Sequence, residues 1–230
     1  FFSWSIEREV IDANPASGIK PVTKEVSREN VLSDDQLKAV WMAAGSMGKP
    51  FGSVIRLLML TAQRRDEVAG MRWSEIDLDK AEWVISPSRT KNGIENRVPL
   101  TEAAMAIIKD QLRLKGSDFV FPSGRSPTTK YVSGFSKAKR QIDEISGATE
   151  WRLHDLRRTA ASGMARYKIS PHVVEKVLNH TNGILGGVAG IYNRFGYDDE
   201  KRNALETWAA HIERLEFGGT DDNVAHLSTD

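Results

Sequence analysis

AEWVISPSRTKNGIENRVPL, residues 81–100, is where the chain changes period. Trp83 and Ile85 alternate with polar neighbours, as short strands do, and Val98 and Leu100 repeat the spacing. Lys91-Asn92-Gly93 lies between the two runs, and Asn-Gly takes up the backbone of a hairpin turn at little steric cost. On both sides the period is helical. Upstream, Ser33-Asp34-Asp35-Gln36 forms a capping box ahead of Leu37, Val40, Trp41 and Ala44. Helices follow at 54–60 and 61–73. Downstream, helices are expected at 101–114, about 130–145, about 154–167, 171–179 and 199–215, with a short extended piece at Asp118–Pro122. The fold class is mainly α with a small antiparallel β-sheet or hairpin.

The 230 residues suggest one large domain or one plus a fragment, at about 150 residues per domain. The first stretch, FFSWSIEREVIDANPASGIKP, reads as the end of a helix stopped by Asn14-Pro15, an aromatic-rich remnant of a preceding domain. The start at Phe1 rather than Met is expected to mark an excised piece. The residues after it, rich in Ser, Gly, Pro, Lys and Glu, form a linker. The last dozen residues form a loose acidic tail. With no Cys, disulfides, thiol catalysis and Cys-ligated zinc are excluded. No apolar run approaches the roughly 18 residues of a membrane helix, so no membrane role is expected.

Phosphate loops, dinucleotide fingerprints, metal patterns and a GxSxG elbow are absent from the sequence, so neither a cofactor nor a metal is implied. What remains is a spread of cations, histidines and tyrosines in three segments: Thr61–Val68, which holds Arg64 and Glu67; Leu153–Thr159, which holds His154 and Arg157; and Leu178-Asn179-His180 followed by Ile191-Tyr192-Asn193-Arg194. His154 and Arg157, three apart, share a helix face. An Arg fork binds two phosphate oxygens at once. Lys91, on its turn, can reach out to a ligand. Each of these residues alone reads more readily as a surface or packing residue; their order and spacing set them apart.

In that order and spacing the chain resembles the tyrosine recombinase, or phage integrase, family over about residues 1–216, and the prophage and genomic-island integrases in particular. The resemblance implies the tyrosine recombinase catalytic-domain fold at 33–216, with 1–20 the end of a core-binding domain, 21–32 a linker and 217–230 the tail. It also implies roles. Tyr192 attacks a scissile DNA phosphate, leaving a 3′-phosphotyrosyl link. Arg64 and Arg157 clamp the non-bridging oxygens. His154 takes or relays the tyrosine proton, and Lys91 gives one to the departing 5′ oxygen. His180 hydrogen-bonds the same phosphate, and Glu67 orients the Arg and His groups. Tyr197 is the near competitor of Tyr192; Tyr131 and Tyr167 are the others. The family often has Gly where Ala62 stands, and Ala there is expected to be a mild change at a helix entry. The implied partners are double-stranded DNA attachment sites, a homotetramer in the recombination synapse (a monomer when isolated), a host DNA-bending protein and an excisionase, all in a bacterial cytoplasm. The alternative is a non-catalytic DNA-binding module on the same fold, which would show a broken Tyr, Lys or Arg position; none is broken.

The formal net charge of +1 hides a division. From 198 to 230 there are nine acids against Lys201, Arg202 and Arg214, a net of −6 that leaves +7 on residues 1–197. A basic body with an acidic end predicts a positive cleft.

Overall fold

The computed structural model describes residues 1–19, 30–180 and 197–218. Among them run nine α-helices and one three-stranded antiparallel sheet, the mainly helical class expected. Helix α1 (Phe2–Glu7) leaves Phe1, Trp4 and Ile6 exposed. It ends well before Pro15, where the Asn14 side chain instead turns the chain by accepting from the Ala16 amide at 2.9 Å. Leu32, expected in the linker, is buried in the core, and its amide donates to Thr159 Oγ1 at 3.0 Å.

Helix α2 (Asp34–Met47) begins with the expected capping box. Ser33 Oγ accepts from the Gln36 amide at 3.2 Å, and Gln36 Oε1 accepts from the Ser33 amide at 3.0 Å. Leu37, Val40, Trp41 and Ala44 bury its apolar face against α3 (Phe51–Thr61). The crossing is backbone against backbone, because a Cβ on Gly52 would stand 1.9 Å from the Ala44 carbonyl oxygen. Residues 54, 55 and 57–61 of α3 are all buried, as in a helix surrounded by others. Around it lie α2, α5 (Glu102–Lys109), α7 (Leu153–Arg166) and α9 (Asp198–Phe217). Trp208 of α9 ties that helix to α3 and α7: its indole donates to the Met59 carbonyl at 2.7 Å, and its ring fills the place of the side chain that Gly163 of α7 lacks.

The sheet has the order β1 (Ile76–Asp77), β2 (Glu82–Ile85), β3 (Asn96–Pro99). Trp83 pairs with Val98 and Ile85 with Asn96, so the alternating residues do face inward. The link between β2 and β3 is not a tight Asn-Gly hairpin. It spans residues 86–95 and contains a 3-10 turn at Pro87–Arg89. Gly93 (φ 70°) still supplies the left-handed residue, but it closes the turn within the loop that begins at Thr90.

The expected helix over 61–73 is the main correction. Helix α3 stops at Ala62, which adopts a left-handed φ of 55°, and the next helix, α4, covers only Arg65–Ala69. Ala at this conformation carries a penalty of roughly 1 kcal/mol that Gly would not. The residue after the break stabilises it. Buried Gln63 donates to the carbonyls of Thr61 (2.8 Å) and Val177 (2.9 Å) and accepts from Asn96 Nδ2 (3.0 Å). A continuous helix would carry Gln63 away from all three. The remaining helices are α6 (Phe135–Ser146), entered through Gly134 at φ 91°, and α8 (Pro171–Val177). Phe217, expected in the tail, still belongs to α9; residues 219–230 lie outside the described residues. Among the described residues no helix is long and apolar enough to cross a membrane.

Candidate active site

The break after α3 places Arg64 at the N-cap of α4, in extended conformation, rather than inside a helix as the sequence suggested. Glu67, buried one turn further on, grips it twice: Oε2 accepts from the Arg64 amide and Oε1 from its guanidinium, both at 3.0 Å. Arg64 is thereby held by its main chain and its side chain at once, and about a fifth of the side chain remains open to the cleft. Expected as an orienting residue, Glu67 is in contact with Arg64.

Arg157 lies on α7, one turn after His154, and is almost wholly buried. Its Nη1 donates to the Ala62 carbonyl at 2.6 Å and its Nη2 to the Leu178 carbonyl. A guanidinium has five N–H donors, so these two bonds leave others for a ligand. Asp155, fully buried, accepts from the Arg152 amide (2.9 Å) and the Arg158 side chain (2.7 Å), and so starts the helix and turns Arg158 aside. His154 carries no hydrogen bond among the described residues and lines the cleft.

Lys91 projects from the β2–β3 loop with no ion-pair partner among the described residues. His180 follows the end of α8, and its Nδ1 faces Glu175 Oε2 at 3.0 Å. Donation from Nδ1 to that carboxylate leaves Nε2 as the nitrogen open to a ligand. At the end of α8, the carbonyls of its last residue Val177, its C-cap Leu178 and Asn179 just beyond are each taken by a donor from a different part of the site: Val177 by Gln63, Leu178 by Arg157 and Asn179 by Asn92.

Arg64, Lys91, His154 and Arg157 line one cleft of about 610 Å³, together with Lys139 and Trp151. A neighbouring cleft of about 990 Å³ shares Arg64, Arg65, Lys91 and Phe135 with it and adds Arg72, Arg89, Lys130 and Tyr131. His180 lines neither, but the charges of Arg64 and Arg157 both act on it. Tyr192 lies outside the described residues. Of the other tyrosines, Tyr197 packs its ring on His172 at 5.0 Å, and Tyr167 bonds His211 and Arg214. Among the described tyrosines, Tyr131 lines the larger of the two clefts and none lines the smaller. Sequence reasoning missed Gln63, Arg89 and Lys139 here. Arg89 is paired with Glu75 and donates to the Glu67 carbonyl at 2.8 Å. Lys139 lies over the Trp151 ring at 4.2 Å.

The electrostatics suit an anion. Burial lowers the Arg157 pKa to about 10, with Arg64 pushing the same way, and the group stays charged near neutral pH. Burial is also the largest cause that holds His154 below the ordinary 6.5, joined by Arg158, Arg157 and Arg64 against Asp155. His180 is lowered too, by burial and then Arg157, against the pull of Glu175. Near pH 7 the site therefore pairs permanent cations with neutral imidazoles that can accept a proton. Among the described residues no group of three or more His, Asp or Glu is placed to hold a metal ion. Of the acids around the site, Asp66 is paired with Arg65, Glu67 with Arg64 and Glu175 with His180.

Residues 30–194 match the phage integrase family. Prophage integrase IntA of Escherichia coli K12 is 29% identical over 224 residues, covering 95% of this chain and 53% of its own length. Prophage integrase IntZ of the same strain is 27% identical, covering 94% and 54%. The chain thus spans about half the length of these curated relatives. Among solved structures, the integrase of mycobacterium phage Brujita superposes with a TM-score of 0.56 at 14% identity, over 93% of this chain and 72% of that one. A lambda integrase fragment (75–356), a dimer bound to a COC′ core site, gives 0.54 at 19%, over 81% and 70%. The fold is that of the tyrosine recombinase catalytic domain, and with the family match extending over well more than half of its length, the chain belongs to the phage integrase family.

Proposed function

We propose that residues 33–216 are the catalytic domain of a site-specific DNA recombinase that integrates or excises a mobile element. The observation that supports this best is the meeting of Arg64, Lys91, His154 and Arg157 in one cleft, brought from separate parts of the chain. The Tyr192 hydroxyl attacks the scissile phosphorus, and His154 takes its proton. Charge that develops on the non-bridging oxygens is met by Arg64 and Arg157, a kind of stabilisation worth roughly 10²–10³ in rate per donor. Lys91 gives a proton to the 5′ oxygen as its bond to phosphorus breaks. A 5′ hydroxyl from another strand then reverses the step, so the bond energy is conserved. His180 donates from Nε2 once phosphate has charged the ring.

In the same proposal, residues 1–20 end a core-binding domain, 21–32 link it to the catalytic domain and 217–230 form an acidic tail kept off the DNA. The full protein works in the cytoplasm as a tetramer on two attachment sites, with a host DNA-bending protein and an excisionase as further partners. The test is a nicked suicide substrate that carries the element's boundary sequence, incubated with the full-length protein. A covalent protein–DNA adduct is expected from wild type and from Tyr131→Phe, and none from Tyr192→Phe. Wild-type protein that binds the substrate and forms no adduct favours the non-catalytic module instead.

A further inference from the structure

We propose that Asn179 and Asn92 form a clasp that positions Lys91 for proton donation; the proposal rests on the role given to Lys91 above. The two asparagines stand 87 positions apart in sequence and bond reciprocally. Asn92 Nδ2 donates to the Asn179 carbonyl at 2.8 Å. Asn179 Nδ2 donates to the Ile94 carbonyl at 3.2 Å and approaches Asn92 Oδ1 at 3.4 Å. Asn92 Oδ1 also accepts from the Ile94 amide at 3.2 Å, which closes the turn on itself. Lys91 is the residue next to the clasp in the loop, and His180 is the residue next to it after α8.

The loop needs such a device. It is long, from 86 to 95, and its tip residues Lys91, Gly93, Ile94 and Glu95 are exposed. Its first half is closed by the 3-10 turn, with the Arg89 amide on the Ser86 carbonyl at 3.0 Å and the Ser86 and Ser88 hydroxyls 3.0 Å apart, but toward the tip the internal bonds are few: Thr90 Oγ1 to the Pro87 carbonyl at 3.1 Å, the Gly93 amide to the Thr90 carbonyl at 3.4 Å and the Ile94 amide to Asn92 Oδ1 at 3.2 Å. A lysine side chain is long and flexible, so without a fixed backbone its ammonium would sample a large volume. The clasp attaches the loop to the end of α8, the same end that Arg157 and Gln63 hold from the other side. Proton donor and phosphate clamp thus share one anchor. Asn179 is suited to it in backbone as well as side chain, because it adopts a left-handed φ of 48°, which Asn tolerates better than most residues. Gly would adopt the same φ but could not make the side-chain bonds.

That contrast supplies the test. Asn179→Gly keeps the turn and removes the amide, and Asn92→Ala removes the other half at an ordinary φ. Both are made in the full-length protein and assayed on two suicide substrates, one with the normal 5′ bridging oxygen and one with sulfur in its place. A thiolate leaves without a proton, so cleavage of the second substrate does not call on Lys91. On the oxygen substrate each variant is expected to cleave about 10–100-fold more slowly than wild type, a partial loss of the roughly 10²–10⁴-fold that general-acid catalysis supplies. On the sulfur substrate each should come within about threefold of wild type, as Lys91→Ala should, since the lost proton transfer accounts for the defect. An equal defect on both substrates would mean a structural role, and no defect on either would mean that the clasp is idle; either result overturns the proposal. Wild type that cleaves neither substrate overturns the recombinase reading itself.

Discussion

Two walls of one cleft are held in opposite ways. The wall of Arg64 and Arg157 is fixed from inside the core. Glu67 is 3% exposed, Arg157 is 3% exposed, and the bonds that hold the two arginines come from a buried carboxylate and from main-chain carbonyls. The wall of Lys91 is an exposed loop tied by two half-buried amides. The difference matches the work proposed for each. A clamp for a fixed charge gains from having nothing to reorganise, because its dipoles and charges are already in place when the transition state forms. A proton donor must approach, give and withdraw.

Breaking the rigid wall should have the largest effect. Arg157→Ala strips the donors from the carbonyls of Ala62 and Leu178 and removes a clamp. Adduct formation should fall by at least about 10²-fold. Urea unfolding should register a loss of roughly 3 kcal/mol. A stable variant with near-normal cleavage would refute the assignment. Next is Gly163→Ala, which attacks the same wall from behind. Its Cβ would stand 2.1 Å from the Trp208 ring, so a loss of about 2–3 kcal/mol is expected in thermal or urea unfolding. Activity per folded molecule should stay close to normal.

Glu67→Gln is milder. The amide oxygen can still accept from the Arg64 main chain, but the charge that faces the guanidinium is gone. About 1–2 kcal/mol of stability and roughly tenfold in cleavage rate should go with it. Acid should act more gently still. His154, His180 and His211 all have folded pKa values below the ordinary 6.5. Stability from them is complete above 6.5 and is lost as pH falls through the lowered values. The first two are exposed and screened, so the slope should come chiefly from His211, enclosed between Asp34, Arg166, Tyr167 and Arg214. Melting curves from about pH 7.5 to 5 should show the decline, and His211→Gln should flatten it. Smallest of all is Ala62→Gly. Relief of the left-handed strain, roughly 1 kcal/mol, is offset by the greater freedom of Gly in the unfolded chain, and stability in urea should change by only about a few tenths of a kcal/mol.

The same contrast explains what could be read from the sequence. Local signals were legible: the Ser33–Gln36 capping box, the alternation of Trp83, Ile85 and Val98, and the His154–Arg157 pair on one helical face. Their physics acts over a few neighbouring residues. The frame was not legible, because its bonds join distant positions: Gln63 to Val177, Arg157 to Ala62, Asn92 to Asn179. No periodicity encodes those meetings. Ala62 misled for a related reason. Alanine favours a helix, and the turn is held by long-range bonds at its two residues, those of buried Gln63 and that of Arg157 to the Ala62 carbonyl. The Asn-Gly pair signalled a turn correctly but carried no information about the length of the loop around it.

The end of α8 has one more consequence. The last carbonyls of a helix carry partial negative charge and repel anions. A phosphate site beside such an end would work against its own scaffold. Here the terminal oxygens at 177, 178 and 179 are each neutralised by a neighbouring donor, one of them cationic. The caps therefore do for the electric field what they do for the geometry: a helix terminus of the wrong sign is made nearly silent. If the cleft holds a phosphate as proposed, its affinity for that anion and the integrity of its frame are thus linked, and a change that loosens one should weaken the other.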